Sequence, residues 1–188
     1  MDAQKVQVRF GGLGGQGLVT LGAVLAEAAA RSGMRVAASQ QYGSRARGGA
    51  TRADVILARE EIDFPHIHRA DVLLVLAQEA YELYLPSVTE AGLVLADPFF
   101  VKLAERGGRK QLLVPATATA IEKVGKQVAA NFVLLGALLG YTELVPDEAV
   151  RAAIAKLVNP RFQAINLEAC SLGAGLGRAL AEEVGPWR

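Results

Sequence analysis

A chain of 188 residues accommodates one ordinary domain, here read as spanning residues 1–188, and its 52% hydrophobic residues supply core material that disordered segments lack. Twenty Lys and Arg against nineteen Asp and Glu leave a net charge of +1, so no global field favours nucleic acid or a membrane surface, and any anion site must be local. Cys170, the one cysteine, cannot supply the roughly four thiolates of an iron–sulfur cluster or close an internal disulfide, and the opening residues lack a signal-peptide apolar run; together these point to the cytoplasm.

Residues 5–10 alternate polar and apolar as a strand does and lead at once into the glycines of 11–17. Residues 18–31, rich in Ala and Leu and free of Pro, predict a helix of about four turns, with Gly33 placed as its C-cap residue. Residues 35–39 predict a second strand, parallel to the first across a right-handed crossover, so the chain opens as a βαβ unit. Residues 40–49 carry no period and form a loop, after which 51–58 alternate like a strand with one wet face. A turn at 59–61 leads to a short segment at 62–64. The apolar runs 72–76 and 93–96 predict central strands covered on both faces. Residues 78–90 between them predict a helix made irregular by Pro86, and 112–114 a last short strand before Pro115. Helices are then predicted over 118–125, 128–140, 147–157 and 161–180; the apolar stretch 128–140 falls short of the ~20 residues of a membrane helix. This order predicts a doubly wound, Rossmann-like α/β fold, a mostly parallel sheet with helices on both faces and a helical C-terminal end.

Gly12-Leu13-Gly14-Gly15-Gln16-Gly17 fits G-x-G-x-x-G between a strand and a helix, where backbone N–H groups can approach a phosphate at the positive helix end. The same glycines could serve only to pack helix against strand. The second strand ends in Ser39-Gln40-Gln41 without the carboxylate that a nicotinamide ribose wants, which disfavours NAD and leaves other phosphate-bearing nucleotides open. The loop that follows holds Tyr42, Arg45, Arg47, Gly48 and Gly49, a stacking ring, two guanidinium forks and two points of close backbone approach. It is either a solvated basic turn or the second half of an anion site whose first half is the glycine turn.

His66 and His68 make no catalytic zinc site without a third ligand and read as a surface loop, and Cys170 among small residues reads as buried and inert. No Ser/His/Asp arrangement is present, so no catalytic and no metal-binding residue is assigned. Residues 131–140 are apolar nearly all round, with Gly136 and Gly140 one turn apart, which marks a helix enclosed by its own core or covered by a partner.

Together these motifs resemble the gamma subunit of the 2-oxoacid:ferredoxin oxidoreductases, thiamine-diphosphate enzymes acting on pyruvate, 2-oxoglutarate, branched-chain 2-oxoacids (ketoisovalerate) or indolepyruvate. The resemblance spans essentially the whole chain. It is carried by Gly12 to Gly17, Tyr42-Gly43 with Arg47-Gly48-Gly49, Val55-Ile56-Leu57 before Ile62 and Pro65, Asn131 with Gly136-Ala137, and Ile165-Asn166 with Ala169 and Gly173. One departure is visible: where the family often has Pro-Glu, this chain has Ser44-Arg45-Ala46, a base in place of an acid.

The resemblance implies an oxidoreductase subunit that is inactive alone and holds no cofactor itself. Thiamine diphosphate, Mg and the iron–sulfur clusters would belong to alpha, beta and ferredoxin-like delta subunits, with ferredoxin as the acceptor. This chain would help assemble the complex and form the coenzyme A side of the site through Gly12, Gly14, Gly15, Gln16, Gly17, Tyr42, Arg45, Arg47, Gly48, Gly49 and Asn131. The alternatives are a purely structural interaction subunit and a nucleotide-dependent reductase component.

Overall fold

The first strand runs further than its alternation predicts: β1 spans Lys5–Leu13 and takes the first two glycines into the sheet. The computed structural model describes residues 5–41, 49–104 and 108–187. After β1 come α1 (Leu18–Arg31), β2 (Arg35–Gln41), β3 (Ala50–Ala58) and β4 (Ala70–Val75). α2 (Gln78–Tyr84) passes into a 3-10 turn at Leu85–Ser87, then β5 (Val88–Ala96) and β6 (Lys110–Leu113) complete the sheet. α3 (Ala116–Thr119) continues into a π turn at Ala120–Val124, and a 3-10 turn at Gln127–Ala129 opens α4 (Ala130–Thr142). α5 (Asp147–Leu157) and α6 (Pro160–Val184) follow.

The strand order is β2-β3-β1-β4-β5-β6. β1, β4, β5 and β6 are parallel, as the doubly wound pattern requires, while β3 is antiparallel to both of its neighbours. β2 therefore runs in the direction of β1, yet β3 lies between them, paired from Lys5 opposite Ala58 to Leu13 opposite Ala50. A short connection after β2 lets the chain double back as an antiparallel neighbour, and β3 then has a partner on each edge. One local expectation also gives way. The helix expected over 78–90 stops before Pro86, whose ring clashes with a continuing helix, and Val88 and Thr89 open β5 instead. The short segment at 62–64 follows the turn without regular secondary structure, and Ile62 packs against a small cluster of Ile56, Ile67 and Ala70.

Alternating side chains divide the core between the two faces of the sheet. Val8, Phe10, Val72, Leu74, Leu93 and Leu95 face α1, α4, α5 and α6, whereas Leu73, Val75, Val94 and Ala96 face α2, which contributes Tyr81 and Tyr84. On the α2 side Arg9 is fully buried: its Nε and Nη2 donate to the two carboxylate oxygens of Asp54, each at 2.8 Å, while Nη1 reaches Ser87 Oγ at 2.7 Å and Nη2 also meets the Ile67 carbonyl at 3.0 Å.

On the other side every residue of α4 is buried, which settles the all-apolar run 131–140 as core. Its outer face is covered by α6 across a crossing of four glycines. A Cβ at Gly136 or Gly140 would strike the α6 backbone at Cys170 or Ala174, and one at Gly173 or Gly177 would strike the α4 backbone at Val133 or Ala137. The far end of α6 is held by Lys110, whose Nζ donates to the carbonyls of Val184, Gly185 and Pro186 at 2.9, 3.0 and 3.1 Å. No helix among the described residues is long and apolar enough to cross a membrane.

Substitutions along α6 separate packing from helix propensity. Gly173→Ala forces two backbones apart and is expected to cost about 1–3 kcal/mol, lowering the melting temperature by roughly 3–10 °C. Gly175→Ala, on the exposed side with nothing within 4 Å, is expected to raise it slightly. Thermal denaturation followed by circular dichroism compares the two.

Candidate active site

β1 delivers the glycine turn to the C-terminal edge of the parallel strands, where doubly wound sheets bind their ligands. The turn is left-handed at Gly15, φ 91°, and at Gly17, φ 73°, a region that residues with a Cβ avoid. The glycines have different reasons for being there. A Cβ at Gly12 would run into Gln16 Oε1 and one at Gly17 into Asn131 Nδ2, so these two make room for internal side chains. Gly14 is exposed, has no positive φ, and a Cβ there would meet nothing within 4 Å. Internal packing thus accounts for Gly12 and Gly17 and leaves Gly14 without an internal reason.

Gln16 folds back under the turn: its Oε1 accepts from Leu13 N at 2.7 Å and its Nε2 donates to the Leu76 carbonyl at 2.9 Å. Leu76 N in turn donates to the Gly11 carbonyl at 3.1 Å, so the exits of β1 and β4 are tied together. Asn131, nearly buried in the first turn of α4, donates from Nδ2 to the Gln16 carbonyl at 3.1 Å and accepts at Oδ1 from Phe132 N at 2.8 Å. The two side-chain amides are therefore occupied inside the protein, and what they give the site is the position of the turn.

This bond also brings the N-termini of α1 and α4 to the same place. Neither has an acidic residue in its first turn; α1 has no capping side chain, whereas α4 continues the 3-10 turn at Gln127–Ala129 and has its Phe132 N–H taken by Asn131 Oδ1. A helix N-terminus carries roughly half a positive charge; here the end left without a cap is that of α1, and nothing acidic in the first turn of either helix neutralises it. The arrangement suits an anion. Two cavities of about 420 and 450 Å³ flank the turn and share Val128 and Asn131; the first reaches Gly15, Leu76 and Thr117, the second Gly17, Thr20, Lys126, Asn159 and Asn166.

Of the residues singled out in the sequence, Gly12, Gly14, Gly15, Gln16, Gly17 and Asn131 come together here. Gly49 stands at the same edge, since the next residue, Ala50, pairs with Leu13. Tyr42, Arg45, Arg47 and Gly48 lie outside the described residues, and the strand end that precedes them is near the turn as well, with Gln41 and Gly11 both in register with Arg52.

Sequence reasoning missed Asp97 at the exit of β5. Its buried carboxylate accepts from Phe99 N at 3.1 Å, Thr117 N at 2.8 Å and Thr117 Oγ1 at 2.5 Å, which fixes the start of α3 beside the first cavity. The available signal was an acid directly after an apolar strand and before Pro98. His66 and His68 are exposed and pack against the Phe64 ring at 5.3 and 5.4 Å between centroids. Among the described residues no three His, Cys, Asp or Glu side chains gather as a metal site. Burial pushes the Cys170 thiol up to about 12, so it is neither a ready ligand nor a nucleophile.

A model of the family described as pyruvate ferredoxin/flavodoxin oxidoreductase matches residues 7–176. The chain is 39% identical over 179 residues to the 2-oxoglutarate synthase subunit KorC of Archaeoglobus fulgidus, covering 95% of this chain and 91% of that one. It is 31% identical to the ketoisovalerate oxidoreductase subunit VorA of Methanothermobacter marburgensis, where the match takes in 93% of this chain and 36% of VorA. The gamma subunit of a keto/oxoacid ferredoxin oxidoreductase from Geobacter sulfurreducens has the same fold, with a TM-score of 0.84 at 34% identity over 94% of this chain and 98% of that chain. A chain of the 2-oxoglutarate:ferredoxin oxidoreductase of Magnetococcus marinus, whose structure holds 2-oxoglutarate, coenzyme A and succinyl-CoA, gives a TM-score of 0.85 over 95% of this chain and 32% of that one; at 22% identity this is a likeness of fold.

The internal and external duties of the turn are separable by mutation. Gln16→Glu keeps the acceptor for Leu13 N but sets a carboxylate against the Leu76 carbonyl, and is expected to cost about 1–3 kcal/mol. Gly14→Ala is expected to leave stability within about 0.5 kcal/mol of the wild type. Denaturant titration of the two variants checks both.

Proposed function

This chain belongs to the pyruvate ferredoxin/flavodoxin oxidoreductase family as a gamma-type subunit, and from that premise we propose that it forms the coenzyme A side of the site in a cytoplasmic 2-oxoglutarate:ferredoxin oxidoreductase. Complexes of this family carry out the oxidative decarboxylation of a 2-oxoacid. In the reaction proposed here, 2-oxoglutarate and coenzyme A yield succinyl-CoA and carbon dioxide, and the two electrons released pass to ferredoxin. The choice of oxoacid is supported by the KorC relatives, 39% and 36% identical and matched over nine tenths or more of their length, against 31% for VorA.

The residues described here do not fit an iron–sulfur cluster: the single thiol is buried and held protonated, and no acidic, histidine and cysteine side chains gather as a metal site. In this reading the redox and thiamine chemistry sits on alpha, beta and ferredoxin-like delta partners, and this chain's residues bind and orient.

The observation that carries the reading is Gly14, exposed beside the uncapped N-terminus of α1 and the first turn of α4 and unneeded by the internal packing. Backbone N–H groups at such a point suit a phosphate, and coenzyme A presents several. The loop holding Arg45 and Arg47 springs from the same edge. With Arg45 where the family often has Glu, that loop bears two guanidinium groups in place of a mutually cancelling pair, which favours a phosphate-rich ligand. Gly14→Val would then obstruct the approach of the phosphate without a packing penalty.

The purified single chain is expected to show no 2-oxoglutarate oxidation with a viologen acceptor, and addition of the other subunits is expected to produce it. In the assembled enzyme Arg45→Ala and Arg47→Ala should each remove a charge-assisted contact worth about 1.5–3 kcal/mol, raising the KM for coenzyme A roughly ten- to a hundredfold with kcat little changed. Arg47→Lys should recover part of this. An unchanged coenzyme A dependence with assembly intact in these variants and in Gly14→Val would assign the chain a purely structural role.

A further inference from the structure

The rim of the glycine turn is apolar and unusually exposed. Phe100 and Val128 line the first cavity, and Val128, Leu157 and Phe162 line the second, so a continuous band passes over both, extended by Phe99, whose ring meets that of Phe100 edge-on at 4.8 Å. Val128 is 70% exposed and Phe99 59%. Scattered apolar side chains on a surface need no explanation, but a contiguous strip rimming a polar site is a mark of an interaction surface.

Its charge is equally one-sided. Among the described residues Lys126 is the one ionisable side chain lining either cavity, and α1, α4 and α6 all present N-termini without an acid in the first turn. An occupant that fits must be apolar where it meets Val128 and Phe162 and must carry a carboxylate for Lys126. The relatives indicate what kind of chain this is. In KorC the matched region makes up 91% of the protein, whereas in VorA it is 36% of a longer chain, so the same domain works beside a larger unit in covalent continuity with it.

We propose that this band is the docking face for the large subunit corresponding to the rest of VorA. That subunit lays apolar side chains over Val128 and Phe162, pairs a carboxylate with Lys126, and so closes the two cavities and the glycine turn from outside. The inference rests on the subunit reading given above. It explains why a site with the uncapped end of α1 and exposed aromatic rings stands open on this chain: the missing wall belongs to the neighbour.

The test is co-expression with the neighbouring subunits of the complex and measurement of assembly by native mass spectrometry and titration. Val128→Glu and Phe162→Glu alter exposed side chains, so both should fold with unchanged melting temperature, and each should weaken association with the large subunit at least tenfold. Lys126→Glu should weaken it as well, while Lys126→Arg should not. Phe64→Glu and Leu83→Glu, equally exposed apolar positions away from the band, should assemble like the wild type. The proposal is overturned if the band variants assemble normally, if the control positions are as sensitive as the band, or if the band variants abolish a dimer of this chain and leave the hetero-complex intact. A wild-type chain that joins no other subunit would instead sink the functional reading on which the proposal rests.

Discussion

Backbone lies against backbone where α4 crosses α6, and the position of the site depends on it. With glycine at 136, 140, 173 and 177, the two helices approach until each presents its main chain to the other. That proximity lets α4 bury all thirteen of its residues, with the sheet on one side and α6 on the other. A helix so enclosed cannot slide along its axis without breaking close packing on both sides. Its first turn is consequently fixed, and the first turn is where Asn131 reaches across to the Gln16 carbonyl. The glycine turn is thus located by a contact between helices two layers away from the sheet strand that delivers it.

The opposite face of the sheet is organised by charge. Arg9 and Asp54 lie on adjacent strands with both carboxylate oxygens engaged, and the guanidinium spreads its remaining contacts to Ser87 and the Ile67 carbonyl. A buried ion pair is weak evidence for net stability, because desolvation offsets most of the Coulomb gain, but removing one partner alone would leave a buried charge at a cost of about 3–5 kcal/mol. The pair therefore fixes the order of neighbours more than it strengthens them: β3 must stand beside β1 for Asp54 to meet Arg9. This is the strand whose place the sequence pattern leaves undetermined.

What was legible follows from periodicity and punctuation. The helices at 18–31 and 147–157 match their expected bounds, because an Ala-rich run before Gly33 and an amphipathic run after Pro146 are local signals. The seating of β3 between β2 and β1 was not legible, since alternation reports which face is wet and says nothing of which strand is adjacent. Pro86 is legible as a breaker, but an irregular helix through it and a helix ended by it look alike in sequence, and only the β-branched Val88 and Thr89 favour the strand that forms. The glycines mark the candidate turn, yet nothing in the motif separates Gly14, which faces open space, from Gly12 and Gly17, which make room for Gln16 and Asn131. The bond from Gln16 to Leu76 joins residues sixty positions apart and has no local signature.

The helix crossing also has a history during synthesis. α4 is complete once residue 142 has been made, but its cover, α6, ends only at residue 184. At about 5–20 residues per second, some two to eight seconds separate these events on the ribosome. Until α6 is in place, a thirteen-residue helix of mostly apolar side chains lacks its outer wall, and transiently exposed apolar surface of this kind is prone to association. Closure of α6 ends this exposure. If the crossing forms after the folding transition state, as its late arrival suggests for the chain on the ribosome, its tightness acts chiefly on the rate at which the finished subunit opens, making α6 a determinant of lifetime more than of folding speed.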